Sequence, residues 1–387
     1  MHITEVEPYL CFAGWRNWVL VKVTTDTGIT GWGEATLEMH ERSVESAVRE
    51  VRGYLIGQDP FSIERLWEVM VRGDPWQGGP VRLSAASAVE AALWDIVGQA
   101  LGTPIYNCLG GRYRDRIRCY ANGWYFGAHH LDDLVRRAVA MVEQGFDALK
   151  WNPFGLRLKS NPYDVTDARA ARQNFREAVK CVEAVRRAVG DDADLLIELH
   201  GKLAPYEAIE FMHAIEPYEP FFYEEPLPVE NQDALARVHD AVRTPLAWGE
   251  RRFTRHGFRA LLEQEMVDII QPDLCHAGGI LEGKKIAAMA DTWYVPIAPH
   301  NPNGPVSTAM CLQLAACVPN FLILELFVPD VSWREALLVE PLHLEKGYLY
   351  VPDRPGLGIR VNESVLAAHP YERVNAARVV AQGLAGY

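Results

Sequence analysis

The sequence lacks the cysteine patterns of disulfide-stapled and zinc-binding proteins. Its seven cysteines are scattered singly along 387 residues, and no two of them form a C-x-x-C pair. An odd number of unpaired cysteines indicates neither a disulfide framework nor a zinc knuckle. We therefore expect a protein of the reducing cytoplasm.

Long apolar runs and an export signal are also missing. The most apolar stretch, residues 309–328, is interrupted by polar residues and a proline, so we do not expect it to span a membrane. The opening MHITEVEPYL has neither a basic n-region nor an apolar h-region, so we expect no secretory signal.

Positive charge is scarce. With 38 Lys and Arg against 51 Asp and Glu, the formal net charge is −13, which argues against nucleic acid and anionic membranes as partners. An anionic substrate would then need local positive charge from a metal and a few cationic side chains. No GxGxxG follows a predicted strand and no GxxxxGK[ST] occurs, so dinucleotide-binding and P-loop classes lack their key motif.

The sequence falls into three zones and is long enough for two domains. Residues 1 to about 60 alternate as an antiparallel sheet, with a turn at Asp26-Thr27-Gly28. The stretch from Ser62 to Leu101 is typical of helices. From about Val339, GYLYVPDRPGLGIRV reads as strand and turn, which we expect to return to the N-terminal sheet and complete the first domain.

In the middle zone, apolar strand-like runs alternate with amphipathic helical stretches. The eight predicted strands are 117–122, 146–150, 194–199, 221–225, 245–249, 267–272, 295–299 and 321–326. Eight strands with seven intervening helices favour a (β/α)₈ barrel over an open doubly wound sheet.

Three glutamates, Glu198, Glu224 and Glu250, stand 26 residues apart, and each closes an apolar run. This period is about one βα unit, so three successive strands would point three carboxylates at one place. Buried acids repel each other unless a cation neutralises them. Oxygen ligands favour a hard divalent ion, Mg²⁺ before Zn²⁺.

Every predicted strand ends in a polar group, where a barrel of this type carries its chemistry. In chain order these groups are Asn122, Lys150, Glu198, Glu224, Glu250, Asp273, His300 and Glu325.

Lys150, near Asn152, is a candidate for holding a substrate carboxylate. His200 lies two residues after Glu198, so on an extended strand it would point to the same side; it could deliver a proton to a departing hydroxyl.

Asp273 and His300 end neighbouring strands, an arrangement suited to a general base. His276 competes for Asp273 and is assigned a supporting role. Glu325 is either a protonated acid that hydrogen-bonds developing negative charge or a structural partner of His300 or Lys150.

These residues and their surrounding motifs resemble the enolase superfamily, in its mandelate-racemase-like branch. The resemblance covers nearly the whole chain and includes GITGWGEAT, SAASAVEAALWDIVGQALGTPIYNCLGG, YEEP, GE at 249–250, QPD…HAGGI, APHNPNGP and PDRPGLGI. It implies a modified TIM barrel, (β/α)₇β, at residues 116–338. An α+β capping domain would comprise residues 1–115 and be completed by about 339–387.

The resemblance also implies one Mg²⁺ per subunit, held by the three glutamates and chelated by the substrate carboxylate, and proton abstraction through an enediolate. Within the branch the sequence is most similar to acid-sugar dehydratases of the galactonate type, through Lys150-x-Asn152, Glu198-x-His200 and the His300–Asp273 base. Racemases of the branch carry a second lysine where this chain has Asn152, which cannot take a proton. Most relatives have aspartate in place of Glu198, which puts the galactonate substrate in question.

We therefore predict a carbon–oxygen lyase that dehydrates an aldonate-type sugar acid to a 2-keto-3-deoxy acid, and expect a homo-oligomer. His300 would take the C2 proton, Lys150 and Glu325 would assist, and His200 would protonate the C3 hydroxyl. Further substrate contacts are assigned to Asn122, Asn152, Trp15, Arg16, Trp76 and His276. Two alternatives remain: a cycloisomerase of an anhydro sugar acid or lactone, and a non-catalytic sugar-acid-binding relative.

Overall fold

The computed structural model describes residues 1–157 and 168–374. The chain begins with a three-stranded antiparallel sheet of β1 (Ile3–Ala13), β2 (Arg16–Thr25) and β3 (Thr30–Glu34), in that order. The β1–β2 connection is a tight turn in which Gly14 takes a φ of 79°, a conformation that favours glycine.

Four helices follow the sheet: α1 (Glu41–Leu55), α2 (Ile63–Arg72), α3 (Pro80–Leu101) and the short α4 (Ile105–Cys108). Helix α3 begins with a proline and ends at Gly102, whose left-handed φ of 67° terminates it. It lies directly on β3, because Gly33 has no side chain: a Cβ there would come 1.9 Å from the carbonyl oxygen of Ala88.

The middle of the chain is a parallel barrel with helices outside. Its named strands are β4 (Arg116–Asn122), β5 (Ala148–Trp151), β6 (Asp194–Glu198), β7 (Phe222–Glu224), β8 (Leu246–Trp248), β9 (Ile269–Ile270) and β10 (Leu324–Phe327). The intervening helices are α5 (Leu131–Glu143), α6 (Ala168–Val189), α7 (Pro205–Ile215), α8 (Leu235–Ala241), α9 (Thr254–Glu263), α10 (Ile280–Asp291) and α11 (Pro305–Cys317).

The barrel closes through Ile297 and β10. Strands β4 to β9 pair in sequence order, Ile297 bridges Ile270 and Phe321, and β10 pairs with β4. In the part of the chain that the structure describes, eight parallel segments with seven α-helices between them confirm the predicted (β/α)₇β barrel. The segment predicted at 295–299 is reduced to one bridging residue, Ile297, because Pro296 and Pro299 have no N–H to donate to a ladder.

Apolar side chains fill the barrel interior below the site. They include Tyr120, Leu196, Phe222, Ala247, Ile269, Ala298 and Ile323, all buried. The polar residues at the carboxyl ends of these strands lie above this apolar layer, at one rim of the barrel. None of the helices that the structure describes combines the length and the apolar character that a bilayer crossing requires.

The C-terminal segment contacts both parts of the molecule. A hairpin of β11 (Leu344–Glu345) and β12 (Tyr348–Tyr350) pairs antiparallel with β4. The expectation that this text joins the N-terminal sheet is therefore wrong for the hairpin, because Leu349 pairs with Ile117 of the first barrel strand.

Beyond the hairpin, the chain does return to the N-terminal part. Helix α12 (Glu363–Ala368) is followed by a bridge between Pro370 and Cys11 of β1. Residues 375–387 of the predicted capping segment lie outside the described residues. The domain boundaries at residues 115 and 338 stay a prediction.

Candidate active site at the barrel rim

The three evenly spaced glutamates meet at the rim. Glu198 and Glu224 pair in register at the ends of β6 and β7, and Glu250 follows β8. One carboxylate oxygen of each lies within 4.8 Å of the others. Burial and then the negative charge of Glu224 raise the pKa of Glu198 well above its usual value. The three carboxylates repel one another, and the raised pKa of Glu198 shows that nearby cations do not fully balance this repulsion. Carboxylate oxygens in this situation fit a hard divalent cation.

Lys150, on β5, is the cation at the centre of these acids. Its Nζ lies 2.5 Å from Glu224 Oε1, 2.9 Å from Glu325 Oε1 and 3.7 Å from Glu198 Oε2. Burial opposes its charge, but the surrounding carboxylates raise its pKa well above the usual value. A lysine whose charged form is favoured by its neighbours therefore stands between two of the predicted metal ligands and the acid of β10.

Two partners of the glutamates escaped sequence analysis. Gln271 Nε2 donates to Glu224 Oε2 over 2.7 Å. Arg251 reaches Glu250 at 2.8 Å and Glu225 at 2.7 Å. Gln271 lies near the end of the predicted strand 267–272 and Arg251 comes two residues after the predicted strand 245–249, and this position was the available signal for them. Gln271 thus orients the carboxylate of Glu224, and Arg251 orients that of Glu250.

Asp273 and His300 form a close pair next to Glu250. Asp273 Oδ2 lies 2.7 Å from His300 Nδ1, so the imidazole donates from Nδ1 and its Nε2 faces Glu250 at 3.5 Å. Burial alone would lower the pKa of His300, but the charges of Glu250 and Glu325 and the bond to Asp273 raise it to about 10. The basic atom is thus aimed at the predicted metal ligands.

Asn152 fixes the orientation of His200. Its Oδ1 accepts the N–H of Phe154 at 2.9 Å, so its Nδ2 is the donor towards His200 Nδ1 at 3.0 Å. The neutral ring therefore carries its proton on Nε2, which lies 4.0 Å from Glu198 Oε1. Burial lowers the pKa of His200 well below its usual value.

His200 and Glu198 are neighbours, as predicted, but for a different reason. Strand β6 ends at Glu198, and His200 takes a left-handed φ of 50° in the following turn. The turn brings the backbone N–H of His200 to 2.5 Å from Glu198 Oε1. The position of His200 therefore comes from this turn and not from the two-residue periodicity of an extended strand.

Glu325 is surrounded by donors. Asn122 Nδ2 donates to Oε1 over 2.6 Å, the N–H of Asn301 donates to Oε2 over 2.8 Å, and Lys150 pairs with Oε1. These partners suit a carboxylate, and of the two readings of Glu325 they favour a structural partner of Lys150. The amide nitrogen of Asn122 donates its hydrogen bond to Glu325, and a contact between Asn122 and a substrate stays a prediction.

The predicted contacts from the N-terminal domain are spread apart. Arg16 is buried with its guanidinium 4.6 Å from the ring centroids of both Trp15 and Phe327, and it pairs with Asp330 at 2.9 Å. Trp76 is 88% exposed. The structure thus packs Trp15 and Arg16 against the end of β10, pairs Arg16 with the loop after it, and leaves Trp76 on the surface; their substrate contacts stay predictions.

Helix α3 presents a row of acceptors to the loop after β9. Ser84 Oγ contacts His276 Nδ1 at 2.7 Å, Ser87 Oγ accepts the N–H of Gly278 at 3.0 Å, and Glu90 accepts two N–H groups at the start of α10. Their spacing of three places them on one helix face. In the sequence these serines looked like small residues of an apolar helix, so the row was missed.

Two family models match the chain. Residues 13–110 match the mandelate racemase / muconate lactonizing enzyme N-terminal domain, and residues 133–365 match the enolase C-terminal domain-like family.

Curated relatives cover most of the chain. A D-galactonate dehydratase of Ralstonia pickettii (strain 12J) is 38% identical over 359 residues, which are 90% of each chain. A D-gluconate dehydratase of Thermoproteus tenax is 36% identical over 378 residues, which are 96% of this chain and 74% of the relative.

Solved structures share the fold over nearly their full length. A member of the enolase superfamily from Salmonella Typhimurium superposes with a TM-score of 0.90 at 32% identity, covering 95% of this chain and 98% of the other. A mandelate racemase/muconate lactonizing enzyme from Jannaschia sp. CCS1 gives 0.87 at 34% identity, covering 96% and 98%.

Proposed function

The chain belongs to the mandelate racemase / muconate lactonizing enzyme branch of the enolase superfamily, and from that premise we propose that it is a Mg²⁺-dependent dehydratase of an aldonate-type sugar acid. It is a carbon–oxygen lyase of the acid-sugar dehydratase class. One observation carries the proposal: two histidines lie next to the glutamate trio, with Nε2 of the Asp273-bound His300 3.5 Å from Glu250 and Nε2 of His200 4.0 Å from Glu198.

Glu198, Glu224 and Glu250 would hold the metal. Their buried oxygens and the raised pKa of Glu198 fit a hard divalent ion. When bound, Mg²⁺ would supply positive charge for the substrate carboxylate and so make the adjacent C2 proton more acidic.

His300 would remove the C2 proton through Nε2. Asp273 holds the ring by Nδ1, so Nε2 is the atom that faces the rim. Asp273 is itself held by the N–H of Cys275 at 2.7 Å and by Asn303 at 3.2 Å. The base is thereby oriented before the substrate arrives, which avoids reorganisation during proton transfer.

Lys150 and Glu325 would set the charge around the enediolate that forms. The ammonium of Lys150 is held in place by Glu224 and Glu325, and its positive charge would attract a substrate carboxylate. Glu325 would keep that lysine charged and in position. Fixed charge in a buried site is usually the largest contribution to this kind of rate enhancement.

His200 is the candidate for protonating the C3 hydroxyl as it leaves. Its Nε2–H faces the rim, but the ring is neutral because burial lowers its pKa. It would therefore act as the acid only after taking up a second proton from solvent, as negative charge accumulates on the substrate, and it would give one proton to the C3 hydroxyl, which leaves as water. The alternative donor is His300, which carries the abstracted proton and returns it to the hydroxyl on the same face.

Asn152 separates this reaction from racemisation. It stands where racemases of the branch carry a second lysine, and an amide neither accepts nor donates a proton in catalysis at neutral pH. His300 would act as a base on one side of the substrate, and Asn152 offers no second base on the other. C2 can therefore lose its proton to His300 but cannot receive a proton from position 152.

A sugar-acid library tests the proposal. Purified protein with Mg²⁺ is incubated with each acid, and formation of a 2-keto acid is followed, with His300→Asn as the inactive control. We expect turnover of at least one aldonate that stops on chelation. Conversion of an anhydro sugar acid or lactone alone would indicate a cycloisomerase, and tight binding without turnover would indicate a binding protein; both reject the proposal.

A further inference from the structure

Ser84, on helix α3 of the N-terminal part, contacts two polar atoms at short distances. Its Oγ lies 2.6 Å from the carbonyl oxygen of Pro80 and 2.7 Å from His276 Nδ1. Both distances are those of hydrogen bonds, so a hydrogen lies on each line. A serine hydroxyl has one hydrogen.

The carbonyl oxygen of Pro80 can only accept, so Ser84 gives its hydrogen to Pro80. The hydrogen between Ser84 Oγ and His276 Nδ1 must then belong to the histidine. We propose that Ser84 fixes His276 as the tautomer protonated on Nδ1, and that the bare Nε2 of His276 accepts a hydrogen bond from a hydroxyl of the substrate. The second half of this proposal rests on the proposed function.

The atoms around Nε2 of His276 favour a hydrogen-bond donor as its partner. Nε2 lies 3.6 Å from Asp273 Oδ2, which is too far for a hydrogen bond. That oxygen already accepts from His300 Nδ1 at 2.7 Å and from Asn303 at 3.2 Å. A lone pair and a carboxylate oxygen therefore lie 3.6 Å apart next to the base, and a hydroxyl placed there would donate where a second carboxylate would be repelled.

This placement narrows the substrate class. A polyhydroxy monocarboxylic acid offers a hydroxyl hydrogen near the reacting carbons, as the proposed aldonate does. A dicarboxylic sugar acid that put its second carboxylate here would meet two acceptors and no donor from His276. We thus assign Ser84 as a positioning residue that acts through His276 on substrate selection.

Ser87 provides a matched control. It is buried on the same helix, gives its hydrogen to the carbonyl oxygen of Leu83 at 2.7 Å and accepts one loop N–H from Gly278. Ser87→Ala and Ser84→Ala each remove one hydroxyl that joins α3 to the same loop. Only Ser84→Ala removes an acceptor from a histidine.

The tautomer is measured by ¹⁵N NMR of histidine-labelled, Mg²⁺-loaded protein, with the His276 signals assigned through His276→Gln. We expect Nδ1–H and bare Nε2 in the unmodified protein and in Ser87→Ala, and a shift towards Nε2–H in Ser84→Ala. An Nε2–H tautomer or an imidazolium in the unmodified protein would overturn the proposal. This readout does not depend on turnover.

The substrate half is measured as KM and kcat with D-galactonate and D-gluconate as probes. For whichever acid is turned over, Ser84→Ala should raise KM about tenfold with kcat within about twofold, since one ground-state hydrogen bond is weakened. Equal KM values in the two serine variants would overturn the hydroxyl contact. If neither acid is turned over, their Kd values by calorimetry replace KM with the same expectation, and the lost turnover counts against the proposed function alone.

Discussion

Glu198 Oε1 accepts a hydrogen bond from the backbone N–H of His200, with the two atoms 2.5 Å apart. One side chain thus serves the predicted metal site and the turn that presents the candidate acid. Glu198→Asp should keep near-normal Mg²⁺ affinity but lower kcat on the order of a hundredfold, because a shift of about 1 Å in a reacting group can cost that much. Calorimetry and steady-state kinetics measure the two effects.

Two other results for Glu198→Asp would contradict this reading. Loss of Mg²⁺ binding would show that the shorter acid does not reach the ion. Unchanged kinetics would show that the glutamate is a neutral variation, and a galactonate-type substrate would then gain support.

Glu224→Gln should weaken Mg²⁺ binding by at least about a hundredfold. It removes one charge that opposes the ion, and losing even an indirect partner of a metal typically costs roughly 10–100-fold in affinity. Glu230→Gln, at an exposed residue of a 3₁₀ helix, is the control for a lost negative charge and should bind Mg²⁺ normally. Equal affinities in the two variants would show that the metal site is assigned to the wrong residues.

The two histidines should fail differently. His300→Asn should lose turnover and also the exchange of the C2 proton with deuterated solvent, since the base is gone. His200→Asn should lose turnover but keep that exchange if His200 serves only the leaving hydroxyl. Proton NMR of the substrate in D₂O follows both. Rapid dehydration by His300→Asn would rule out the assigned base, and full turnover by His200→Asn would transfer the acid role to His300.

Mg²⁺ binding should release protons near pH 8. Without a divalent ion, the pKa of His300 is raised to about 10, chiefly by Glu250 and Glu325 against burial, so the ring is protonated at this pH. Neutralising Glu250 removes part of that effect and lowers the pKa, so the ring loses its proton. Calorimetry in buffers of different ionisation enthalpy counts the released protons, and His300→Asn should release fewer. Equal release in both proteins would contradict the coupling.

Much of the fold and site followed from the sequence. Strand ends are readable because buried parallel strands are continuous apolar runs, and a polar residue at each end stands out. The family prediction and the barrel were confirmed, and the structure brings Glu198, Glu224 and Glu250 together with Lys150 and the Asp273–His300 pair.

The site residues and contacts that the sequence did not predict depend mainly on how the chain folds in space. Gln271 contacts Glu224 and Arg251 contacts Glu225, and only the folded barrel brings these carboxylates near them. Ser84 acts across the boundary between α3 and the loop after β9, and periodicity within a helix does not reveal what the helix packs against. His200 depends on a left-handed turn that an extended-strand pattern does not predict. The oligomeric state and cellular compartment stay predictions.

The central claim is that this site removes a proton from C2 and a hydroxyl from C3 of a sugar acid. Mass spectrometry of the product formed in D₂O, from whichever acid the library yields, tests it most directly. The account predicts a product lighter than its substrate by one water and carrying solvent deuterium at C3, formed with Mg²⁺ and absent with His300→Asn. A product with the same composition as its substrate, apart from exchanged deuterium, would contradict it.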